Sequence, residues 1–253
     1  MHYQTSSKYT DLATVYEQCS GPGGLKLSEF MAEKMGLQAG ARMADIGIHW
    51  GYQTCFLAKE YGVNIVAIDP GDTQVDRMMR HAADFGVVNQ VIGVKSALPN
   101  SLLPSDCFDF VHCTNTLEMI RGGGGKAAYL AALKEIHRIL KPGGVFGLGE
   151  PMHLDAPAPA EFKKHLKKNG WDKCFATLAE TKRAAIEAGF AIIEADYCEE
   201  AQAWWEEYAT YDLYCAKSPT DAAIIREDNG RWLSFGYVIA KKKGDLLDAY
   251  QER

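Results

Sequence analysis

The feature that most restricts the fold is a regular alternation of short apolar segments and longer amphipathic segments between residues 41 and 150. Segments typical of strands lie at 41–47, 63–69, 90–95, 108–113 and 145–150. Segments with helical periodicity lie among them, at 52–61, 73–85 and 126–140. Strands that alternate with helices form a parallel sheet that is covered on both faces. We therefore predict an α/β fold for this part of the chain.

Beyond residue 150 the pattern is less regular, with helices predicted at 177–188 and 199–215 and strands at 190–197 and 231–240. No linker is good enough to separate an independent second domain. We therefore predict one domain over residues 1–253. It divides into an N-terminal cover (1–38), a ligand-binding core (39–155) and a C-terminal part (156–253).

Composition and charge narrow the range of partners. The 253 residues carry a formal net charge of −6 and show no basic patch, so nucleic acid is not an expected partner. The N-terminus lacks an apolar signal core, and no apolar run is long enough to span a bilayer, so we expect a cytoplasmic protein without a membrane partner. The seven cysteines form no C-x-x-C pair, which indicates reduced thiols and argues against a metal site.

The candidate ligand site begins at the segment DIGIHWG, residues 45–51, where the first strand ends and a helix begins. Glycines in such a turn allow the backbone to approach a ligand closely. Asp69 ends the second strand, where a carboxylate can accept hydrogen bonds from both hydroxyls of a ribose. This pair alone fits a nicotinamide dinucleotide or S-adenosylmethionine (SAM). Asp45 favours SAM, because dinucleotide folds place an apolar residue before the first glycine.

Five segments occur in order along the chain: DIGIHWG, AIDP, FDFV, NTLEM and RILKPGG. Together they resemble the class I SAM-dependent methyltransferases, in particular the type 11 branch that acts on small molecules. The resemblance covers residues 40–155 strongly. It implies a Rossmann-like, doubly wound sheet of about seven strands, mostly parallel with an antiparallel last strand. It also implies an N-terminal helical cover, a helical insertion before the last strand, and methyl transfer from SAM to a small acceptor.

The resemblance assigns cofactor binding to residues at the strand ends and near the N-terminus: Tyr9, Asp45, Gly47, His49, Gly51, Asp69, Ser96, Ala97, Cys113 and Thr114. It implies that the two glycines cradle the amino-acid end of SAM, which Asp45 orients through its ammonium group or a water. Asp69 would hold the ribose, and the residues after the third strand would lie by the adenine. Cys113 and Thr114 would face the sulfonium, and Tyr9 would cover the cofactor.

Three residues depart from the family pattern. His49 stands where the family has its middle glycine, Ser96 replaces a common aspartate, and Met119 replaces a common histidine beside the acceptor. A side chain at residue 49 forbids some backbone dihedrals and narrows the cofactor channel. We hypothesise that His49 lowers the affinity for SAM or changes its pose. Titration of a His49→Gly variant with SAM tests this, and equal affinity would contradict it.

A general base is needed only if the acceptor arrives protonated, because the sulfonium is already an activated methyl donor. The predicted candidates are His153 and Glu118, with His49 and Glu150 as further strand-end groups. The simpler interpretations are a solvated loop histidine for His153 and an anchoring carboxylate for Glu118 and for Glu150.

Three segments could select the acceptor. Residues 21–24 (GPGG) could be a hinge for the cover, and the four glycines in 121–126 predict a mobile loop or a plain connector. Trp204, Tyr208 and Tyr211 share one helix face. They indicate either a core or dimer stripe, or an aromatic wall for a flat or cationic acceptor.

Alternatives to a methyltransferase are an NAD(P)-dependent oxidoreductase on a similar sheet and a non-catalytic SAM-binding module. A homodimer is left open. Arsenite is a further acceptor to consider if Cys19, Cys113 and Cys174 converge, although inert buried thiols are the simpler interpretation.

Overall fold

A computed structural model describes residues 3–19, 21–212, 215 and 218–243. The strands are β1 Arg42–Ile46, β2 Asn64–Asp69, β3 Val91–Lys95, β4 Phe108–Thr114, β5 Leu140–His153, β6 Phe190–Tyr197 and β7 Leu233–Lys242. The helices are α1 Leu12–Gln18, α2 Gly24–Met35, α3 Tyr52–Tyr61, α4 Asp72–Phe85, α5 Leu117–Ile139, α6 Lys163–Asn169, α7 Trp171–Cys174, α8 Leu178–Glu187, α9 Ala201–Tyr211 and α10 Pro219–Asp228. Among these described helices, none is long and apolar enough to cross a membrane.

The strands form one sheet in the order β3-β2-β1-β4-β5-β7-β6. Strands β1 to β5 pair in parallel, and β7 is antiparallel to both β5 and β6. The predicted doubly wound sheet with an antiparallel last strand is therefore confirmed, as is the helical insertion, α9 and α10, between β6 and β7. Because strand order reverses between β1 and β4, a crevice opens at the carboxyl ends of these strands, where open α/β sheets bind ligands.

Two apolar cores cover the faces of the sheet, and strand residues alternate between them. In β4, Phe110 belongs to the core under α2 and α3, whereas Val111 and Cys113 belong to the core under α5 and α8. A third cluster joins α6, α9 and α10 above the carboxyl end of the sheet and includes Trp205 and Trp232. This cluster gives the helical insertion its own apolar support.

The N-terminal cover is helical, as predicted, and it is attached to the insertion rather than to the sheet alone. The Tyr16 hydroxyl donates to Glu207 of α9 at 3.0 Å, and Lys26 of α2 forms an ion pair with the same carboxylate. Tyr3 packs against Trp204 with ring centroids 6.4 Å apart. Movement of the cover therefore requires that these contacts with α9 break.

The prediction of a loop or connector at residues 121–126 is wrong, because these residues lie within α5. The helix is kinked at Gly125, where φ is 70° and ψ is −168°, and the preceding glycines are helical. A Cβ atom on Gly122 would lie 2.3 Å from the Cys174 sulfur, so the missing side chain allows α7 to approach α5 closely. Tertiary packing, rather than the local preference of glycine for loops, decides the conformation here.

Candidate functional site

A cavity of about 400 Å³ opens at the carboxyl ends of β1 to β4. The structure brings five of the predicted cofactor residues to its wall: Gly47, His49, Asp69, Ser96 and Ala97. The remaining wall is mostly apolar, with Ile46, Ile68, Pro70, Leu98 and Ile120. A cavity of this size with a few polar groups on apolar walls is typical of small-molecule sites.

Asp69 supplies the carboxylate of this cavity. It ends β2, is mostly buried, and accepts a hydrogen bond from the Gly71 backbone N–H at 3.0 Å. Burial raises the pKa of Asp69, and the N–H groups of Gly71 and His49 oppose that rise. The side chain is therefore oriented by the backbone, with acceptor capacity left over, because a carboxylate can accept several hydrogen bonds.

Gly47 and Gly51 both have a left-handed conformation, with φ of 74°. Only Gly47 lines the cavity, and its carbonyl accepts a hydrogen bond from the Thr116 hydroxyl at 3.2 Å. A Cβ atom on Gly47 would lie 2.2 Å from that hydroxyl oxygen. Gly51 instead precedes α3 and packs against Met78 of α4, so it shapes the turn without lining the cavity.

We expect Gly47→Ala to destabilise the fold more than Gly36→Ala does. Both glycines have positive φ, but a Cβ atom on Gly36 would meet nothing within 4 Å. Both variants incur the left-handed cost of about 1–2 kcal/mol. The contact with Thr116 should add roughly 1–3 kcal/mol at Gly47. Urea unfolding of both variants measures the difference, and equal losses would contradict the steric argument.

Asp45, which the resemblance places at the amino-acid end of the cofactor, does not line the cavity. Its carboxylate is buried and accepts from the Thr54 hydroxyl and from His112 Nδ1, each at 2.7 Å. Both oxygens are therefore engaged with groups of α3 and β4. Each oxygen can still accept a further hydrogen bond, so orientation of an ammonium group by Asp45, directly or through a water, stays a prediction.

His112 was missed by the sequence interpretation. It is buried in β4 directly opposite Asp45 of β1, and its Nε2 atom has no hydrogen-bond partner among the described residues. The carboxylate favours the tautomer with the proton on Nδ1. A histidine between the apolar residues Val111 and Cys113 of β4 was the available signal, but its partner depends on strand register.

Cys113 and Thr114 do not line the cavity, contrary to prediction. The Cys113 thiol is fully buried in the core under α5 and α8, and this burial raises its pKa. Asn115 and Thr116 line the cavity instead, because β4 continues to Thr114 before the chain turns. Cys19 belongs to the core on the opposite face of the sheet, so convergence of cysteines on arsenite is also contradicted.

Tyr9 is also placed away from the predicted position. Its ring stacks on Phe85 at 6.0 Å and meets Phe56 edge-on at 5.5 Å, and its hydroxyl donates to Glu60 at 3.0 Å. It therefore packs on α3 and α4 and does not line the cavity. The cover reaches the site through Gly21, where a Cβ atom would lie 2.5 Å from Asn115 Cγ.

His153 lines a second cavity of about 500 Å³, together with Arg121, Lys126 and Glu180. Its ring stacks on Trp232 with centroids 4.7 Å apart, and its Nδ1 contacts the Leu154 carbonyl at 2.8 Å. The structure therefore does not bring His153 to the wall of the cavity that contains Asp69.

Glu118 and Glu150 form a buried acidic pair that lines neither cavity. They are 4% and 1% exposed, and burial raises the pKa of both, with Glu150 reaching about 7. Glu150 accepts from the Tyr129 hydroxyl at 2.7 Å, and Arg121 packs on the Tyr129 ring at 4.0 Å. Glu118 is therefore not placed to take a proton from a ligand in the first cavity, which contradicts its predicted catalytic role. The anchoring interpretation fits Glu150, which accepts from the Tyr129 hydroxyl, and it stays a prediction for Glu118.

The proposed aromatic wall of α9 is contradicted for Trp204. This ring is 1% exposed and packs edge-on against Phe30 and Phe235, so it belongs to the core. Tyr208 is half-buried against Trp205, and Tyr211 is 38% exposed and stacks on Tyr16 of the cover. The aromatic face of α9 therefore attaches the N-terminal cover to the helical insertion. The predicted helix also included Tyr214, which lies outside the described residues.

Comparison with known proteins adds to this geometry. Residues 44–148 match a family model described as a methyltransferase domain. Sterol 24-C-methyltransferase erg6 from Aspergillus fumigatus is 30% identical over 127 residues, which are 50% of this chain and 32% of that protein. The aligned part thus spans about a third of that curated relative.

Solved structures share the fold at low identity. The 4+2 cyclase SpnF superposes with a TM-score of 0.71 and 17% identity, over 96% of this chain and 94% of its own. A geranyl diphosphate methyltransferase in complex with SAM superposes with a TM-score of 0.70 and 14% identity, over 87% of this chain and 85% of its own. These similarities show the fold.

Proposed function

We propose that this chain, whose residues 44–148 form a methyltransferase domain, is an enzyme that transfers a methyl group from SAM to a small-molecule acceptor. The observation that carries the proposal is the position of Asp69 in the cavity at the point where strand order reverses. The family match supports it, because it covers the strands and turns that build this cavity.

The cavity fits SAM in its polar groups as well as its size. Asp69 would accept hydrogen bonds from the ribose hydroxyls, and Ser96 and Ala97 would border the adenine. Gly47 lines the cavity in a left-handed conformation, and His49 Nδ1 is a buried atom that lacks a partner among the described residues. SAM supplies an already activated methyl group.

The protein then needs mainly to align an acceptor behind that methyl group. Such positioning can contribute about 7–11 kcal/mol to the lowering of the barrier. We place the acceptor at the side of the cavity that Asn115 lines. There the N-terminal cover packs against the site, through the contact of Gly21 with Asn115. No general base is required for this step unless the acceptor arrives protonated.

Two alternatives are separated from this proposal by direct experiments. Similarity to a cyclase shows that this fold does not determine the reaction, so a SAM-binding protein without methyl transfer is the second candidate. An NAD(P)-dependent oxidoreductase is not favoured, because the matched family and the sterol relative are methyltransferases.

Calorimetric titration with SAM, S-adenosylhomocysteine (SAH) and NADPH tests the cofactor. We expect SAM and SAH to bind and NADPH not to bind, whereas the opposite result would overturn the proposal. Mass spectrometry of SAH formed on a panel of small acceptors then tests catalysis. SAM binding without SAH formation on any acceptor would favour the non-catalytic alternative.

We further propose a cytoplasmic location, since the seven cysteines are free thiols, as is usual in a reducing compartment. Cell fractionation tests this. Light scattering of the purified protein tests whether the chain forms a homodimer.

A further inference from the structure

We propose that the segment RGGGGK, residues 121–126, forms a binding site for a phosphate group at the second cavity, which shares no wall residue with the cavity that contains Asp69. The ligand is inorganic phosphate or a small phosphate monoester, since the cavity of about 500 Å³ has room for more than the phosphate group itself. This site is additional to the proposed methyl transfer and does not depend on it.

The Arg121 side chain is the first support. It lines the cavity but is only 6% exposed, and its guanidinium group lies on the Tyr129 ring at 4.0 Å. Nε and Nη2 are closed to solvent and have no hydrogen-bond partner among the described residues, whereas Nη1 is open to solvent. A guanidinium group is always charged, and a buried charge without a partner is costly. An anion in the cavity supplies that partner through Nη1.

The buried carboxyl groups near Arg121 do not replace such an anion. Burial raises the pKa of Glu150 to about 7, although Arg121 opposes this rise. Burial also raises the pKa of Glu118, and the charge of Glu150 raises it further. At neutral pH this pair therefore carries less negative charge than two ordinary carboxylates do, and Arg121 is not fully neutralised by it.

The N-terminus of the second half of α5, residues 126–139, is the second support. The kink at Gly125 interrupts the helix, and both Gly125 and Lys126 line the cavity. The N–H groups in the first turn of a helix lack partners within that helix and carry the positive end of its dipole. Those of residues 126–128 have no acceptor outside α5 in the described part of the chain. Helix N-termini bind phosphate groups for this reason.

The glycines and the charged side chains of the cavity agree with an anionic ligand. A Cβ atom on Gly125 would meet nothing within 4 Å, so the backbone is open to a ligand at the kink. Three cationic side chains line the cavity against two carboxylates, and they are Arg121, Lys126 and Lys173 against Asp172 and Glu180. Glu180 pairs with Lys126 at 2.7 Å, which leaves Arg121 and Lys173 against Asp172.

Calorimetric titration of the purified protein with inorganic phosphate and with glycerol 3-phosphate, in a phosphate-free buffer of low ionic strength, tests the proposal. We expect both ligands to bind to the wild-type protein. Arg121→Met keeps apolar packing on the Tyr129 ring and removes the charge, so it should weaken both ligands about tenfold or more.

Two further variants keep the test valid if Arg121→Met does not fold. Lys173→Ala removes an exposed cation of the cavity and should weaken phosphate binding about threefold. Glu180→Gln removes the carboxylate that competes for Lys126, and glutamine can retain the capping box of α8, so it should strengthen binding about threefold. The matched control is Lys168→Ala, since Lys168 is an exposed residue of α6 that does not line the cavity and should not affect binding.

The outcomes separate the two sources of phosphate as well as the proposal from its failure. Tighter binding of glycerol 3-phosphate indicates an organic ligand, and equal binding of the two indicates free phosphate. Absence of binding to the wild-type protein would overturn the proposal. Wild-type affinity in a folded Arg121→Met variant, equal weakening by Lys173→Ala and Lys168→Ala, or no gain in Glu180→Gln would do the same. None of these results affects the SAM titrations that test the proposed function.

Discussion

Replacing Asp69 with alanine is expected to lower the affinity for SAM and SAH about a hundredfold. The carboxylate lies in the cavity at the end of β2, held by the Gly71 N–H at 3.0 Å. Hydrogen bonds to a charged acceptor each contribute about 1.5–3 kcal/mol, and the two ribose hydroxyls would each donate one. Even if these energies are not additive, a loss of about 3 kcal/mol corresponds to a factor of about a hundred. Calorimetric titration with SAH measures it.

Two further variants make the result specific. Asp69→Asn keeps an oxygen for the Gly71 N–H and removes only the charge, so we expect a loss of about tenfold. Asp72→Ala removes an exposed carboxylate that pairs with Lys95 at 2.8 Å, and it should leave SAH binding unchanged. If Asp69→Ala bound SAH as well as the wild-type protein does, the cavity would not be a ribose site.

The parts of the site that the sequence could predict follow from strand geometry. Side chains at the carboxyl ends of parallel strands meet at one edge of a sheet, so Asp69 and Ser96 could be placed once β2 and β3 were recognised. The fold was predictable for the same reason. Each strand is a short apolar run, and each intervening helix has its own periodicity.

The predictions that failed are those that depend on which surfaces of the protein face each other. An aromatic stripe indicates a buried helix face, but it does not say whether a ligand or the protein covers that face. Trp204 lies against Phe30 and Phe235 of the core, and Tyr9 lies against α3 and α4. The engagement of Asp45 with His112 likewise depends on the register between β1 and β4, which no single strand encodes.

The prediction of a loop at the four glycines, residues 122–125, failed for a different reason. Local preference favours a loop there, because glycine loses the most conformational entropy in a helix. The close approach of α7 at Gly122 outweighs this preference. The resulting half-helix carries Glu118 and Arg121, and it brings them to the buried layer that contains Glu150.

That buried layer leads to the second large expected effect, which is that Glu150→Gln stabilises the fold increasingly as the pH rises. Burial raises the pKa of Glu150 from 4.5 to about 7, so the folded state binds the proton more tightly than the unfolded state does. The protonated Glu150 side chain therefore contributes to the stability of the fold below pH 4.5, and this contribution is lost as the pH rises through 7. Arg121 and the Tyr129 hydroxyl favour the charged form but do not outweigh burial.

The comparison of Glu150→Gln with the wild-type protein isolates this contribution together with the repulsion between Glu150 and Glu118, because groups away from this pair titrate equally in both. Glutamine keeps an oxygen for the Tyr129 hydroxyl and never carries a charge. Urea unfolding should show no advantage for the variant near pH 4.5 and an advantage of roughly 2–3 kcal/mol at pH 8. Glu187→Gln, at an exposed position of α8, should show no such trend. An advantage that is constant with pH, or that shrinks as the pH rises, would mean that Glu150 is ionised in the folded protein throughout this range and that Arg121 outweighs the cost of burying its charge.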